Sequence, residues 1–124
     1  MAHIVILGAG LGGMPMAYEM KELTRPEDRV TVISNTSTFH FVPSKPWVAV
    51  NWRGRADIEF EAAPYLAKKN IDFIASGARR VRPESNEVEL ADGRLVHYDY
   101  LVIATGPKLA FDENLTLKEA TVAL

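Results

Sequence analysis

The chain has 124 residues, of which 48% are hydrophobic and 24% are charged. This length and composition are typical of one globular domain with a core of useful size. The formal net charge of −2 gives no reason to expect nucleic acid or an anionic membrane surface as a partner. The sequence contains no cysteine, which excludes disulfides, thiolate metal sites and dithiol redox chemistry within it.

The first residues are apolar but do not have the features of a targeting segment. They lack the basic start and the small-residue cleavage site of a signal peptide, so we expect synthesis in the cytoplasm without one. No apolar run approaches the ~20 residues that a membrane-spanning helix needs. His3–Leu7 instead has the β-branched pattern of a strand that is buried on both faces of a parallel sheet.

A glycine-rich turn and a helix follow this strand. Residues 14–23 place apolar side chains near one face of a helix. Pro15 is compatible with the first turn, where its missing N–H would be unpaired anyway. Residues 29–34 form a second apolar strand. The order of strand, glycine turn, helix and strand predicts a right-handed βαβ unit.

The middle of the chain is less regular. Residues 35–56 are too apolar for a free linker, and we expect a structured loop with a short helix near 46–52. Residues 58–70 are expected to form a helix that Pro64 interrupts or delays. Residues 71–75 have the pattern of a third strand of the parallel sheet.

The apolar period changes to two in the last third of the chain. Strands expected at residues 78–82, 87–90 and 94–98 make a three-stranded antiparallel meander. Asp92-Gly93 predicts a hairpin turn in which both central residues adopt positive φ. A further buried strand is expected at 100–104. These elements predict an α/β fold, a Rossmann-like parallel sheet plus the meander, as part of a dinucleotide-binding domain.

The sequence Gly8-x-Gly10-x-x-Gly13 is spaced as a dinucleotide-binding fingerprint. The first glycine allows the tight turn, the second lets the pyrophosphate approach the backbone, and the third lets helix and strand pack closely. The helix N-terminus then offers free N–H groups to the phosphates. Because the motif lies between a buried strand and an amphipathic helix, we interpret it as a binding site rather than as a glycine turn without a ligand.

The end of the second strand departs from the usual pattern. The fingerprint expects an acidic residue there to hold the ribose hydroxyls, but the sequence has Ser34 and Asn35. Both side chains can still hydrogen-bond a ribose. Neither carries the charge that would repel a 2′-phosphate, so this position leaves the preference among dinucleotides open.

The order of elements favours a flavin. A simple NAD domain continues with βα units, whereas here the meander and a strand ending in Ala104-Thr105-Gly106 follow. This arrangement, and the stretch from Tyr98 to Gly106 in particular, resembles the FAD domain of the flavoproteins that have two dinucleotide-binding domains. In that family the Ala-Thr-Gly turn passes close to the FAD, and the resemblance therefore implies FAD as the cofactor.

Three stretches carry a closer resemblance to the sulfide:quinone oxidoreductase family. They are residues 6–21, residues 39–48 (Phe-His-Phe-Val-Pro-Ser-Lys-Pro-Trp-Val) and residues 96–109. The middle stretch is the specific one, because the others recur in type II NADH dehydrogenases and flavocytochrome c sulfide dehydrogenases. The resemblance implies an FAD-dependent oxidoreductase, peripheral to a membrane, that oxidises sulfide and passes electrons through FAD to a quinone.

The resemblance also implies which residues meet the cofactor. They are Gly8, Gly10, Gly12 and Gly13 at the pyrophosphate, Ser34 and Asn35 at the adenosine ribose, Val42, Pro43, Ser44 and Lys45 towards the flavin, Ala78 near the adenine, and Thr105, Gly106 and Pro107 over the cofactor. No metal site is expected, since His3, His40 and His97 lack metal-ligand spacing. We interpret His40 and His97 as structural, and Trp47 and Trp52 as residues that fill the core.

We interpret the chain as the first part of a longer flavoenzyme. Residues 1–111 are expected to form the first segment of an FAD-binding domain, and residues 112–124 a loosely ordered tail. The family's catalytic cysteines, its quinone pocket and the later segment that completes the FAD domain lie beyond the resemblance. We therefore expect no catalytic residue here, an inactive isolated chain, and weak FAD retention or none. Uncovered apolar surface predicts a homo-oligomer.

Two other functions stay open at the level of the sequence. One is the front part of an NADH:quinone or ferredoxin-type reductase, which a second glycine fingerprint downstream would favour and a cysteine pair would oppose. The other is a complete small protein, a non-catalytic module that binds a nucleotide. Tight binding of FAD or ADP by a closed, compact chain would favour that module.

Overall fold

The computed structural model describes residues 1–107. The expected tail at 112–124, and the ends of the expected segment 1–111 and of the motif stretch 96–109, lie outside the described residues. In chain order the elements are β1 (His3–Leu7), α1 (Gly13–Leu23), β2 (Arg29–Ser34), β3 (Thr38–His40), α2 (Lys45–Ala49), β4 (Glu59–Glu61), α3 (Ala62–Ala67), β5 (Asp72–Ala75), β6 (Ala78–Arg82), β7 (Glu87–Leu90), β8 (Leu95–His97) and β9 (Tyr100–Ile103). Short 3-10 turns lie at Val42–Ser44 and Arg55–Asp57.

The central layer is a parallel sheet of four strands in the order β5-β2-β1-β9. β1 lies in the middle and pairs with β2 on one side and with β9 on the other. α1 connects β1 to β2, which confirms the expected βαβ unit, and β5 extends the sheet beyond β2. Two antiparallel sheets complete the described fold, the predicted meander β6-β7-β8 and a small ladder of β3 and β4. The α/β fold class is thereby confirmed.

The side chains of β1 divide between two core clusters, one on each face of the sheet. Ile4 and Ile6 pack with residues of α1, β2 and α3. Val5 and Leu7 pack on the other face with residues of the meander, among them Val88. Because both faces are covered, the strand is a continuous apolar run rather than an alternating one, as the sequence predicts.

The expected helix over 58–70 is wrong in its first part. Glu59–Glu61 form β4, which pairs antiparallel with β3, and α3 begins only at Ala62. Two contacts favour the strand: Phe60 packs on the ring of Phe39, with 4.9 Å between centroids, and Ala62 donates its backbone N–H to the carbonyl of Ser37 at 2.9 Å. Both partners are more than 20 residues away, so local propensity could not predict them.

The hairpin turn at Asp92-Gly93 exists, but its predicted backbone is wrong in one respect. Gly93 has φ +89°, whereas Asp92 does not adopt positive φ. The backbone N–H of Leu90 donates to the carbonyl of Arg94 at 2.8 Å, and that of Gly93 to the carbonyl of Leu90 at 3.0 Å. The turn is therefore a three-residue loop, in which only the last residue needs the left-handed region.

Two sets of residues expected in the core are exposed. In β9 the side chains of Tyr100 and Ile103 are 65% and 64% exposed, because β9 is the edge strand of the described sheet. Trp47 and Trp52 stack on each other with 5.1 Å between centroids but are 41% and 72% exposed. The interpretation of these tryptophans as core residues is wrong, since both are exposed and α2, which carries Trp47, has no buried residue. Within residues 1–107, no helix is long and apolar enough to cross a membrane.

We expect Gly13→Ala to destabilise the chain by about 2–3 kcal/mol, as overpacking does. A Cβ atom at residue 13 would lie 1.8 Å from the carbonyl oxygen of Gly8, so α1 and the glycine turn would have to separate. Urea unfolding followed by circular dichroism measures the change. The matched control is Gly10→Ala, whose Cβ would meet nothing within 4 Å. Equal unfolding midpoints for the two variants would contradict the packing argument.

The stability of the fold should also decrease as the pH falls below about 6.5. Burial, followed by the charge of Arg29, lowers the pKa of His3 from its ordinary 6.5, although a hydrogen bond with the backbone of His97 and the charges of Asp72 and Asp99 act in the opposite direction. The folded chain thus binds a proton on this imidazole less readily than the unfolded chain, so protonation favours unfolding. The stabilisation is complete at neutral pH and is lost as the unfolded-state imidazole protonates.

Urea midpoints at about pH 7.5 and about pH 5.5 measure this dependence, over the range in which a histidine titrates. His3→Gln should show a smaller decrease over the same interval than the parent chain. His97→Gln, on the exposed strand β8, is the control and should decrease like the parent. A decrease that is identical in all three chains would assign the pH dependence to other groups.

Candidate functional site

A cleft of about 720 Å³ lies at the carboxyl ends of β1, β2 and β9. This is the edge of an open parallel sheet at which such folds bind their ligands. The volume is within the range of small-molecule and cofactor sites. The residues that line it are Leu7, Gly8, Ala9, Gly10, Leu11, Gly12, Ile33, Ser34, Asn35, Thr36, Thr38, His40, Val42, Gly77, Ala78, Ala104, Thr105, Gly106 and Pro107.

The glycine turn brings three backbone segments into direct contact behind the cleft. Gly8 has φ +105°, and a Cβ there would lie 2.2 Å from the carbonyl oxygen of Ala104. The Gly8 N–H donates to the carbonyl of Ile33 at 2.8 Å. Gly8 is therefore required by its backbone angle and by the loop after β9, and Gly13 by the close approach of α1.

Neither a positive φ angle nor a close backbone contact requires glycine at residue 10. A Cβ at this position would meet no atom of the described chain within 4 Å, and Gly10 is not among the residues with positive φ. The residue lines the cleft. The space that a side chain would fill at residue 10 is therefore open cleft, which is the geometry that lets a ligand approach the backbone.

The N-terminus of α1 is suited to an anion. The helix begins at Gly13 after the N-cap residue Gly12, so no side chain caps it, and its first turn has no acidic residue. The positive end of the helix dipole is thus not neutralised by the protein itself. Backbone N–H groups at such an end, beside open space, are a ready phosphate site.

The opposite wall is formed by the end of β2 and the start of the meander. Ser34 is buried, and its Oγ accepts a hydrogen bond from the backbone N–H of Thr36 at 3.3 Å. Asn35 lies beside Gly77, where a Cβ would be 3.5 Å from that of Asn35. Both predicted ribose contacts therefore line the cleft, together with Ala78, although the Ser34 hydroxyl also stabilises its own turn.

The structure brings most of the predicted cofactor contacts together. The predicted residues that line the cleft are Gly8, Gly10, Gly12, Ser34, Asn35, Val42, Ala78, Thr105, Gly106 and Pro107. Four predicted contacts do not line it. Gly13 lies behind the turn, Pro43 and Lys45 are exposed, and Ser44 is buried with its Oγ accepting a hydrogen bond from Arg53 Nη1 at 2.8 Å. Cofactor contact by these four residues stays a prediction.

The sequence interpretation did not include Thr36, Thr38 and His40 among the cleft residues. His40 Nδ1 lies 2.9 Å from a carboxylate oxygen of Glu59, and Arg55 Nε lies 3.1 Å from the same oxygen. Glu59, the partner of His40, lies on β4, across the ladder that the sequence interpretation missed. No local signal marks His40, because only the pairing of β3 with β4 places it at the cleft.

The surroundings of the cleft contain no candidate for metal binding. Among residues 1–107, no group of three or more histidine, aspartate and glutamate side chains could hold a metal ion. The cleft lining itself has neither a carboxylate nor an ammonium or guanidinium group in the described part of the chain. The arrangement can bind through backbone groups, hydroxyls and one imidazole.

Comparisons with known proteins agree with this geometry. The sequence profile of the pyridine nucleotide-disulphide oxidoreductase family matches residues 2–120. The sulfide-quinone reductase of Aquifex aeolicus (strain VF5) is 44% identical over 119 residues, which are 92% of this chain and 27% of that protein. Putidaredoxin reductase of Pseudomonas putida is 28% identical over 111 residues, 84% of this chain and 25% of that protein.

A solved structure gives the same relationship in three dimensions. The crystal structure of the sulfide:quinone oxidoreductase from Aquifex aeolicus superimposes with a TM-score of 0.85 and 41% identity, covering 92% of this chain and 27% of that one. The chain thus spans about a quarter of the length of the relatives it matches. The resemblance to sulfide:quinone oxidoreductases is confirmed, and the chain belongs to the pyridine nucleotide-disulphide oxidoreductase family.

Proposed function

We propose that this chain binds the ADP half of FAD in the cleft, as the front part of a flavoenzyme of the sulfide:quinone oxidoreductase type. The observation that carries the proposal is the open space at Gly10 beside the uncapped N-terminus of α1. Close packing accounts for glycine at residues 8 and 13, whereas no packing contact requires glycine at residue 10. A pyrophosphate against the backbone of residue 10 would use both the space and the helix dipole.

The remaining contacts follow from the shape of the cleft. Ser34 and Asn35 would hydrogen-bond the adenosine ribose, and Ala78 would lie against the adenine. Thr105, Gly106 and Pro107 would cover the cofactor on the side of β9. Val42 lines the same cleft and would lie towards the flavin. The described cleft is not lined by Pro43, Ser44 or Lys45. Contact between these residues and the flavin would require the remainder of the enzyme.

The activity proposed for the whole enzyme is sulfide oxidation at the surface of a membrane. FAD, when bound, would supply the redox chemistry by which two electrons from sulfide reach a quinone. This chain has no cysteine, so the cysteine pair at which sulfide is oxidised would come from the remainder of the enzyme. The residues described here bind and orient the cofactor.

The alternative enzyme is an NADH:quinone or ferredoxin-type reductase with the same front. The identity to putidaredoxin reductase, 28%, is lower than the 44% to the sulfide-quinone reductase, and we therefore favour sulfide chemistry.

A non-catalytic nucleotide-binding module is the second alternative. The exposed side chains of Tyr100 and Ile103 on the edge strand oppose a closed module. They support the proposal that the isolated chain associates with itself through β9.

The test is binding of FAD and of ADP-ribose to the purified chain, measured by isothermal titration calorimetry. We expect both ligands to bind weakly and at the same site, because ADP-ribose carries the whole ADP half and the isolated chain lacks the contacts that would hold the flavin. Gly10→Ala should weaken both by about tenfold or more, equivalent to ~1.4 kcal/mol, without a change in the urea unfolding midpoint. A methyl group at residue 10 would occupy the space that the proposal gives to the pyrophosphate.

Gly54→Ala is the matched control for this test. Gly54 lies outside the cleft, and its Cβ would make an ordinary contact of 3.4 Å with Asp57. Ligand affinity should be unchanged in this variant. Absence of ADP-ribose binding by the parent chain, or equal affinities for the parent and Gly10→Ala, would refute the proposal.

We further predict that the 124-residue chain, with FAD and sulfide supplied, does not reduce a soluble quinone above the rate without protein. The chain has no cysteine and therefore no cysteine pair at which sulfide could be oxidised. Absorbance of the quinone gives the rate directly. Sulfide-dependent quinone reduction that is lost on Gly10→Ala would show that the chain is catalytic by itself.

A further inference from the structure

The charge of the cleft does not match the charge of the ligand proposed for it. A dinucleotide brings two negative charges on its pyrophosphate. Among the described residues that line the cleft, His40 is the one with an ionisable side chain. The remaining lining residues are glycines, apolar residues, hydroxyls and one amide. Any side-chain cation supplied by this part of the chain must therefore come from the imidazole of His40.

The orientation of this imidazole is set by the ladder of β3 and β4. His40 is the cross-strand partner of Glu59, and Nδ1 lies 2.9 Å from a carboxylate oxygen of Glu59. A carboxylate can only accept a hydrogen bond, so Nδ1 carries a hydrogen and donates it. Nε2 is then the nitrogen that remains for a ligand, and it becomes a donor only when the ring is protonated.

The surrounding charges keep Glu59 in this role. Arg55 donates from Nε to the same carboxylate at 3.1 Å, and the Glu59 side chain is mostly buried. Two register positions along the ladder from the His40–Glu59 pair, Glu61 accepts a hydrogen bond from the Thr38 hydroxyl at 3.1 Å. The charged groups that face His40 from β4 and the turn before it are therefore Glu59 with its partner Arg55, and Glu61 held by Thr38.

We propose that His40 is a pH-dependent contact for the dinucleotide: its protonated Nε2 donates to a phosphoryl oxygen while Glu59 holds Nδ1. This inference rests on the proposed function of the cleft. It assigns the residue that sets how binding varies with pH. A charge-assisted hydrogen bond of this kind exists only while the imidazole is protonated, so the affinity must increase as the pH falls.

A purely structural role for His40 has a different signature. If the imidazole only joins β3 to β4, its loss changes the stability of the ladder and not the proton linkage of ligand binding. His40→Gln retains an N–H group that can donate to Glu59, but it cannot become a cation. His40→Lys places a cation at residue 40 throughout this pH range. Comparison of the two variants separates the effect of a positive charge at residue 40 from the effect of its hydrogen bond to Glu59.

The experiment is calorimetric titration of the chain with ADP-ribose at about pH 5.5 and about pH 8, either side of the range in which imidazole titrates. ADP-ribose is used because its pyrophosphate is a diester and keeps its charge between these values. We expect about tenfold tighter binding by the parent chain at the lower pH, the effect of one charge-assisted hydrogen bond. His40→Gln should bind equally at both values, with the weaker affinity.

His40→Lys should bind with the tighter affinity at both values. His97→Gln, on exposed β8, removes a histidine outside the cleft and should retain the full pH dependence of the parent. Circular dichroism at the lower pH confirms that each variant is folded, since protonation of His3 destabilises all of them equally.

The outcomes separate this inference from the proposed function. ADP-ribose binding that is independent of pH in the parent, or equally pH-dependent in His40→Gln, overturns the role of His40 and leaves the cleft as a dinucleotide site. Tighter binding at the higher pH overturns it too, because the neutral ring would then be the contact. Absence of binding at both values overturns the proposed function and this inference with it.

Discussion

The described structure depends on one backbone contact, the packing of Gly8 between α1 and the loop that follows β9. A side chain at residue 13 would meet the Gly8 carbonyl, and a side chain at residue 8 would meet that of Ala104. The backbones of residues 8, 13 and 104 thus pack so closely that neither residue 8 nor residue 13 has room for a Cβ. Three segments that are distant in the chain meet here, and the cleft lies directly in front of them.

This contact explains why the cleft has so little side-chain chemistry. Where backbones approach so closely, the surface that remains is made of N–H groups, carbonyls and the end of a helix. Such a surface recognises phosphate by fixed dipoles, which need no charged side chain and lose no side-chain entropy on binding. The site residues at its edges, Ser34, Asn35 and Thr38, add hydroxyl and amide groups suited to a sugar. In the proposed complex the charge of the ligand would be met mainly by these fixed dipoles, with His40 as the one ionisable side chain among the described lining residues.

The small ladder of β3 and β4 has a larger role than its length suggests. It anchors the aromatic pair of Phe39 and Phe60, fixes the start of α3 through Ser37, and presents His40 to the cleft. Its two strands are separated by the 18 residues that include the exposed pair of Trp47 and Trp52. The stretch from 39 to 48, which resembles the sulfide:quinone oxidoreductase family most specifically, therefore begins inside the ladder and leaves it at the edge of the cleft.

The sequence by itself determined the βαβ unit, the meander and the position of the candidate cleft. These features rest on local patterns: the continuous apolar run of β1, the spacing of Gly8, Gly10 and Gly13, and the alternation in β6 to β8. Local patterns suffice where the physical cause lies within a few residues of the effect.

The tertiary structure alone decided that residues 59–61 form a strand, that Ser44 is bonded to Arg53 away from the cleft, and that Tyr100 and Ile103 are exposed at a sheet edge. In each case the cause is a contact between residues far apart in the chain, and no local pattern of the sequence records such a contact.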